Sequence, residues 1–422
     1  MGGLVAILDG TRFYAASAGI LHPELRDKPL VITGGKNGIV IAANRLATDH
    51  CGMSKFEPVF KQKEIIARHG VLVVEANFNL FGHHSKHFQN IIMSYFDQCS
   101  SYSIDEVFAL VPSNVVPIDY LRDIRSQVYK LTRTAVSAAA SFNCTLAKSC
   151  AWAAKNSPGY NGLCVIDSMD EMDEILKKMP IGSIWGIGRS MTKTLVAQGM
   201  TKAIDLKHAD PARMKKLFGK NIVDVISELN GNKVLNWRNP DHSNSKIVIG
   251  SSKSYKERLH NKTEVHQALA NHIHIVCQKA RAQHSKIKCI LFSCSTSSYD
   301  HQPFAKSIKI KLEYPTSDTT SVLSMLSDNI NQLVPLTDNW VPIYRIYVSA
   351  TDLTSKDVIQ SDLFAPPEDD RKMQVFDSIN ARFGKNTMFI GARGVDPKCE
   401  DVRPLQLKHP HSRWRDVPDV FC

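Results

Sequence analysis

Apolar residues gather in short runs separated by polar turns, and their period changes along the chain. Residues 4–8 form an unbroken run, Leu-Val-Ala-Ile-Leu, that is too short for a helix and predicts a strand buried on both faces. It ends in Asp9-Gly10, so a carboxylate is delivered at the C-terminal end of that strand. Residues 29–33 and 38–42 flank Gly34-Gly35-Lys36-Asn37, a turn segment that runs into Gly38, and predict a hairpin. Further strands are predicted over 71–74 and 101–111, with a helix over 84–95 between them. A helix over 117–132, a strand over 135–140 and a helix over 146–155 follow, before the breakers Asn156-Ser157-Pro158-Gly159. Alternation of this kind predicts an α+β domain on a mixed sheet.

Residues 167–238 have no strand pattern and read as short helices, among them 167–179 and 191–199. The stretch 237–245, with Asn239-Pro240-Asp241, is polar and rich in breakers and reads as a linker. A long helix over 264–283 and strands over 286–294 and 307–314 then predict a second α/β domain reaching about residue 350, with a tail behind it. No internal repeat or low-complexity tract interrupts this order.

At 422 residues and 43% hydrophobic content, several packed domains are expected, two to four in number. Lys and Arg outnumber Asp and Glu by 52 to 41, a balance that suits a polyanionic partner. The ten cysteines are scattered without a Cys-x-x-Cys pair and are expected to be reduced core residues. The N-terminal residues show no basic leader, and their apolar run is too short for a signal or a bilayer span; a soluble cytoplasmic protein with no membrane partner is expected.

The candidate chemistry lies in Asp9 and in Asp105-Glu106, which sit within Tyr102-Ser103-Ile104-Asp105-Glu106-Val107-Phe108. Three carboxylates on adjacent strands offer hard oxygen ligands for two divalent cations, magnesium first and manganese as a substitute. Two such ions, about 3.5–4 Å apart, activate the attacking oxygen and stabilise the leaving one in nucleotidyl transfer. A regular strand sends Asp105 and Glu106 to opposite faces, so a shared site requires a turn or kink there. Taken alone, the pair reads rather as a solvated hairpin tip.

The order of the segments decides between these readings. Asp9 is followed by Phe13-Tyr14-Ala15, Lys28-Pro29-Leu30-Val31, Tyr102 to Glu106, Leu146-Ala147-Lys148 and Trp185-Gly186-Ile187-Gly188. This series resembles the Y family of translesion DNA polymerases over essentially the whole chain. The segment Ser412-Arg413-Trp414-Arg415-Asp416-Val417-Pro418 is similar to the UmuC-type branch of that family.

The resemblance implies a right-hand polymerase: palm over 1–30 and 75–166, small fingers over 31–74, and a helical thumb with a helix-hairpin-helix over 167–238. A linker over 239–246, an α/β little finger over 247–350 and a C-terminal tail over 351–422 complete it. It implies error-prone synthesis on damaged template in the SOS response, with Asp9, Asp105 and Glu106 as catalytic metal ligands. Tyr14 is then the residue that excludes a ribose 2′-hydroxyl, with Phe13 beside it. Lys155 is the triphosphate lysine, and a point charge suits that task.

The sequence departs from the family around the nucleotide. Thr48 stands where an arginine or lysine is expected, leaving Arg45 or Lys36 as substitutes; Ala18 replaces a glutamate and Cys144 a lysine. A weakened or inactive relative that still binds DNA and clamp is therefore the alternative reading. A two-metal nuclease is a more distant third.

Gly186 and Gly188 are expected to let backbone N–H groups reach a DNA phosphate. Lys286, Lys288, Lys309 and Lys311 alternate with aliphatic residues and predict a basic sheet face that tracks duplex DNA. Gln360-Ser361-Asp362-Leu363-Phe364 resembles a sliding-clamp-binding pentapeptide, in which Gln360, Asp362, Leu363 and Phe364 carry the contact. Primer-template DNA, deoxynucleotide triphosphates, a UmuD-type dimer and a RecA filament complete the implied partners, at the nucleoid.

Overall fold

The computed structural model describes residues 3–34, 38–235, 237, 246–335, 340–356, 370–384 and 386–395. These fall into two compact units that divide near residue 240.

The first unit runs β1 (Val5–Gly10), α1 (Phe13–Leu21), β2 (Leu30–Thr33), β3 (Val40–Ala43), α2 (Lys63–His69), β4 (Leu72–Glu75) and α3 (Phe78–Met93). It continues through β5 (Cys99–Ser101), β6 (Glu106–Leu110), α4 (Pro117–Thr132), β7 (Val136–Ser141), α5 (Cys144–Asn156) and β8 (Leu163–Val165). Five helices follow: α6 (Met169–Lys178), α7 (Arg189–Ala197), α8 (Ala203–Lys207), α9 (Pro211–Phe218) and α10 (Lys220–Leu229).

Because residues 5–8 are apolar without alternation, β1 needs cover on both faces, and it lies at the centre of a sheet ordered β5-β6-β1-β7-β8. Ala6 and Leu8 pack with Phe88 and Ile92 of α3 and Leu121 and Ile124 of α4. Val5 and Ile7 face the other way, into a core shared with α5 and the helical segment. The odd-numbered side of β1 is thus the α5 side, and Asp9 follows Val5 and Ile7 onto it.

The hairpin expected over 29–42 is β2 and β3, antiparallel, and β4 joins β2 in parallel to complete a three-stranded sheet. The strand expected over 101–111 is instead two strands, β5 and β6, joined by a bend at 102–105. Helix α3 explains the break. Ser85 Oγ donates to the Ile104 carbonyl at 2.6 Å and Gln89 Nε2 to the Ser103 carbonyl at 2.6 Å, so side chains take carbonyls that a continuous ladder would use.

The second unit runs β9 (Ile249–Leu259), α11 (Lys262–Ala282), β10 (Ser285–Ser295), β11 (Ala305–Thr316), α12 (Thr319–Leu333), β12 (Ile343–Ser355) and α13 (Asp370–Phe383). Its antiparallel sheet is ordered β11-β10-β12-β9, with α11 and α12 packed on the face that carries Ile290, Phe292, Ile346 and Val348. Strand β9 has no apolar run because it is an edge strand; only Ile249, Tyr255 and Leu259 of its residues are buried. Beyond residue 350 the chain is not simply a tail. Strand β12 reaches Ser355, and α13 buries Met373 and Phe376, while Ile390 and Ala392 pack against the unit's core. No helix among the described residues is long and apolar enough to cross a membrane.

Candidate active site

The end of β1 sets two of the expected carboxylates opposite each other, and the third adjoins one of them along the chain. Asp9 lies directly opposite Glu106 in the β1–β6 ladder, so both side chains leave the same face, the one covered by α5. Asp105 sits one residue outside the strand, in the 102–105 bend, where its carbonyl accepts from Gly10 N at 2.8 Å and its carboxylate from Ser103 Oγ at 2.7 Å. The bend breaks the strict alternation of a regular strand at Asp105. Gly10 keeps the crossing tight, since a Cβ there would lie 3.0 Å from the Phe13 ring and 3.5 Å from Asp105 Cβ.

Helix α5 supplies two lysines seven residues apart, two turns along one face. Lys155 Nζ reaches Asp9 Oδ2 at 2.7 Å and Lys148 Nζ reaches Glu106 Oε1 at 2.6 Å. Lys148 also lies 4.7 Å from the centre of the Tyr102 ring, a cation–π contact, and Tyr102 Oη accepts from Trp185 Nε1 at 2.9 Å.

Burial pushes the Asp9 carboxyl up to about 6 against the pull of Lys155, and the neighbouring Glu106 adds to the rise. Burial acts the same way on Glu106, but its hydrogen bond and charge pairing with Lys148, with Asp9 as a further partner, bring it below the usual range. Asp105 is raised, first by burial. Two carboxylates that share a site and resist ionising together are what a bound cation relieves.

In chemistry these donors suit a hard divalent ion, carboxylate oxygens with like charges already crowded, although their placement does not make a closed ligand set. Among the described residues no group of three His, Cys, Asp or Glu side chains stands close enough to hold a metal, and Lys148 and Lys155 provide the positive charge.

Tyr14 is half-buried against Phe81, with ring centres 4.8 Å apart, and burial followed by the nearby Asp105 raises its hydroxyl. Phe13 is buried in the core. Thr48 lies in a π-helical turn, Leu46–His50, beside the small sheet. Arg45 is 84% exposed and pairs with Asp49 at 3.5 Å. Lys36 lies outside the described residues. Ala18 and Cys144 are fully enclosed, so neither presents a polar group to a nucleotide.

Gly186 adopts φ 91°, open to glycine and strained for other residues, and Gly188 precedes the first turn of α7. On the second unit, Lys309 and Lys311 are exposed and stand opposite Leu291 and Cys289, whereas Ile308 and Ile310 pack inward. Lys286 and Lys288 flank the buried Ile287. Gln360, Asp362, Leu363 and Phe364 lie outside the described residues, as does the 412–418 segment.

The sequence assigned no role to three residues. Lys148 was visible only as part of a motif. Arg12, whose guanidinium donates to Thr48 Oγ1 at 2.8 Å, gave no local signal. Glu228, fully buried, accepts from Thr145 N and Oγ1 and from Val234 N and Leu235 N, and only the fold brings these partners together.

Comparison with known proteins gives this geometry a class and then a family. The fold is that of Y-family DNA polymerases: a solved Y-family chimera of Dbh and Dpo4 superposes with a TM-score of 0.68 at 21% identity, covering 83% of this chain and 99% of that one. Two models of the impB/mucB/samB family match, the first at residues 8–151 and the C-terminal domain at 248–363, together more than half the chain. The chain belongs to this family, which holds the UmuC-like Y-family translesion polymerases. A domain of unknown function matches 370–420. Protein MucB of Escherichia coli is 25% identical over 424 residues, covering 98% of this chain and 99% of its own. Protein UmuC of Salmonella typhimurium is 28% identical over 427 residues with the same coverage.

Proposed function

We propose that this translesion DNA polymerase extends a primer on damaged template by nucleotidyl transfer at the end of β1, with Asp9, Asp105 and Glu106 as the ligands of two divalent cations. The carrying observation is the register of Asp9 against Glu106, with Asp105 folded in by the bend. When bound, the cations polarise the transferred phosphate and lower the barrier to attack by the primer oxygen. The chain's own residues do the rest. Lys155, paired with Asp9, would meet a triphosphate, Lys148 would orient Glu106, and the Tyr14 ring, packed on Phe81, would form the floor that rejects a 2′-hydroxyl.

The central sheet then serves as palm, 31–74 as fingers and α6 to α10 as thumb, with Gly186 and Gly188 near a primer-template phosphate. In the second unit, acting as little finger, Lys286, Lys288, Lys309 and Lys311 track the duplex backbone. The sequence of residues 360–364 supports a sliding-clamp contact. Family likeness supports a UmuD-type dimer and a RecA filament as partners in the SOS response at the nucleoid.

Primer extension in magnesium, with Asp105→Ala as control, tests the reading. Incorporation by the wild type and its loss in the variant support it. Tight primer-template binding without incorporation, in manganese as in magnesium, would replace it with a DNA-binding relative whose nucleotide pocket has drifted. The threonine at position 48 is the observation that favours that second reading.

A further inference from the structure

The missing cation at position 48 has a spatial replacement. Arg12 Nη1 donates to Thr48 Oγ1 at 2.8 Å and to the Ala43 carbonyl at 3.0 Å, and Nη2 lies 3.4 Å from Asp49 Oδ1. These contacts bridge the first residue before α1 to the π turn Leu46–His50, across 36 positions of sequence.

Arg12 is held in an unusual way. Its φ is 53°, the left-handed region that few non-glycine residues occupy, and a backbone of this kind persists where the surroundings enforce it, often at ligand clamps. A π turn is likewise rare and concentrated at functional sites. Arg12 directly precedes Phe13 and Tyr14 and lies three positions after Asp9, so it springs from the segment that carries both the carboxylate and the sugar floor.

The guanidinium is also available. It has five N–H donors, its side chain is 29% exposed, and its anionic neighbour Asp49 is half-exposed, a weak partner that a polyanion displaces. Arg45 is less suited, because its side chain is 84% exposed and extends into solvent with Asp49 as its partner.

We propose that Arg12 is the fingers-side cation of the nucleotide site, contacting the β- and γ-phosphates of the incoming deoxynucleotide in place of a basic residue at position 48. Thr48 and Asp49 hold the guanidinium ready when no nucleotide is present. The assignment rests on the polymerase reading above.

The test uses the full chain with primer-template DNA and magnesium. Incorporation kinetics and competition by inorganic tripolyphosphate are measured for the wild type, Arg12→Ala, Arg45→Ala and the double variant Arg12→Ala with Thr48→Arg. Arg12→Ala should raise the nucleotide KM and the tripolyphosphate inhibition constant by about tenfold or more, the scale of one charge-assisted phosphate contact. Primer-template affinity should stay within about twofold, Arg45→Ala should cost about threefold at most, and Thr48→Arg should recover most of the loss.

Unchanged constants in Arg12→Ala overturn the proposal. So does a loss that Thr48→Arg does not repair and that tracks a fall in Tm and in DNA affinity, because Arg12 would then be a fastening residue. For a wild type that incorporates nothing, tripolyphosphate binding is read by thermal shift. Binding weakened by Arg12→Ala would keep this assignment while the polymerase reading falls, and no binding at all would overturn both.

Discussion

Asp9 and Glu106 face each other across the β1–β6 ladder, and each is held by a different lysine of the same helix, Lys155 and Lys148 two turns apart on α5. The helix therefore works as a charge template: it gives each of the two carboxylates its own cation, and burial makes that pairing necessary. Both carboxylates have side chains only 16% exposed, where unpaired negative charge is costly.

Lys148→Ala should expose that arrangement. It leaves Glu106 crowded against Asp9 and should destabilise the metal-free protein by about 2 kcal/mol, the order expected for breaking a partly buried pair. A divalent cation replaces the lost charge, so magnesium or manganese should raise the Tm of the variant more than that of the wild type. Equal shifts in thermal denaturation would show that the lysine does not stand in for a cation.

Glu228 should be as sensitive, for a different reason. Each of its oxygens accepts two donors, Oε2 from Thr145 N and Oγ1, Oε1 from Val234 N and Leu235 N. Glu228→Gln turns one acceptor into a donor aimed at N–H groups, and the cost should be about 2–3 kcal/mol despite near-identical shape. Urea unfolding followed by tryptophan fluorescence measures it, and a variant within about 0.5 kcal/mol of wild type would remove the argument.

These two cases mark what the chain reveals along its length and what it does not. Strand β1 was legible because an apolar run without alternation has one solution, and α4 because Pro117 opens it. Asp9 and Glu106 were legible as parts of motifs, although the bend beside Glu106 depends on Ser85 and Gln89 of α3. Glu228 lies 83 positions from Thr145, and Arg12 36 from Thr48, so no local pattern announces either contact. Strand β9 was hidden because an edge strand buries too few residues to leave a period.

The proposed clamp contact needs an anchor, and an apolar pair in a polar stretch of sequence can supply one. Leu363→Ala with Phe364→Ala should abolish retention of the full chain on immobilised sliding clamp while primer-template affinity is unchanged. Undiminished retention would reject that role for residues 360–364.

His272 should make the second unit sensitive to mild acid. Its Nδ1 pairs with Ser251 Oγ at 2.8 Å, its Nε2 is buried without a partner among the described residues, and burial first, then Lys253 and Lys279, lower its pKa from 6.5 to about 4. Between those values the unfolded chain takes a proton that the folded one refuses. Stability is thus intact above pH 6.5 and declines as pH falls toward 4, by about 3 kcal/mol from this group once the window is crossed. His272→Gln should flatten the decline relative to wild type in melts across that range; parallel curves would rule it out.

Arg281 decides whether α13 stays docked. Its Nε and Nη2 donate to the two oxygens of Asp377 at 2.7 and 2.9 Å, and Nη1 donates to the Ser317 carbonyl at 2.7 Å, so one guanidinium ties α13 to α11 and to the start of α12. A planar fork on a carboxylate is stronger than a point contact, which makes lysine a poor replacement. Arg281→Lys should therefore loosen α13 nearly as much as Arg281→Ala, by about 1–2 kcal/mol. Hydrogen exchange over 370–383 should rise in both variants while β10 and β12 stay protected, because Met373 and Phe376 give the helix its own apolar contact but no direction. Exchange that rises in Arg281→Ala alone would mean that charge, and not the two-point geometry, holds the helix.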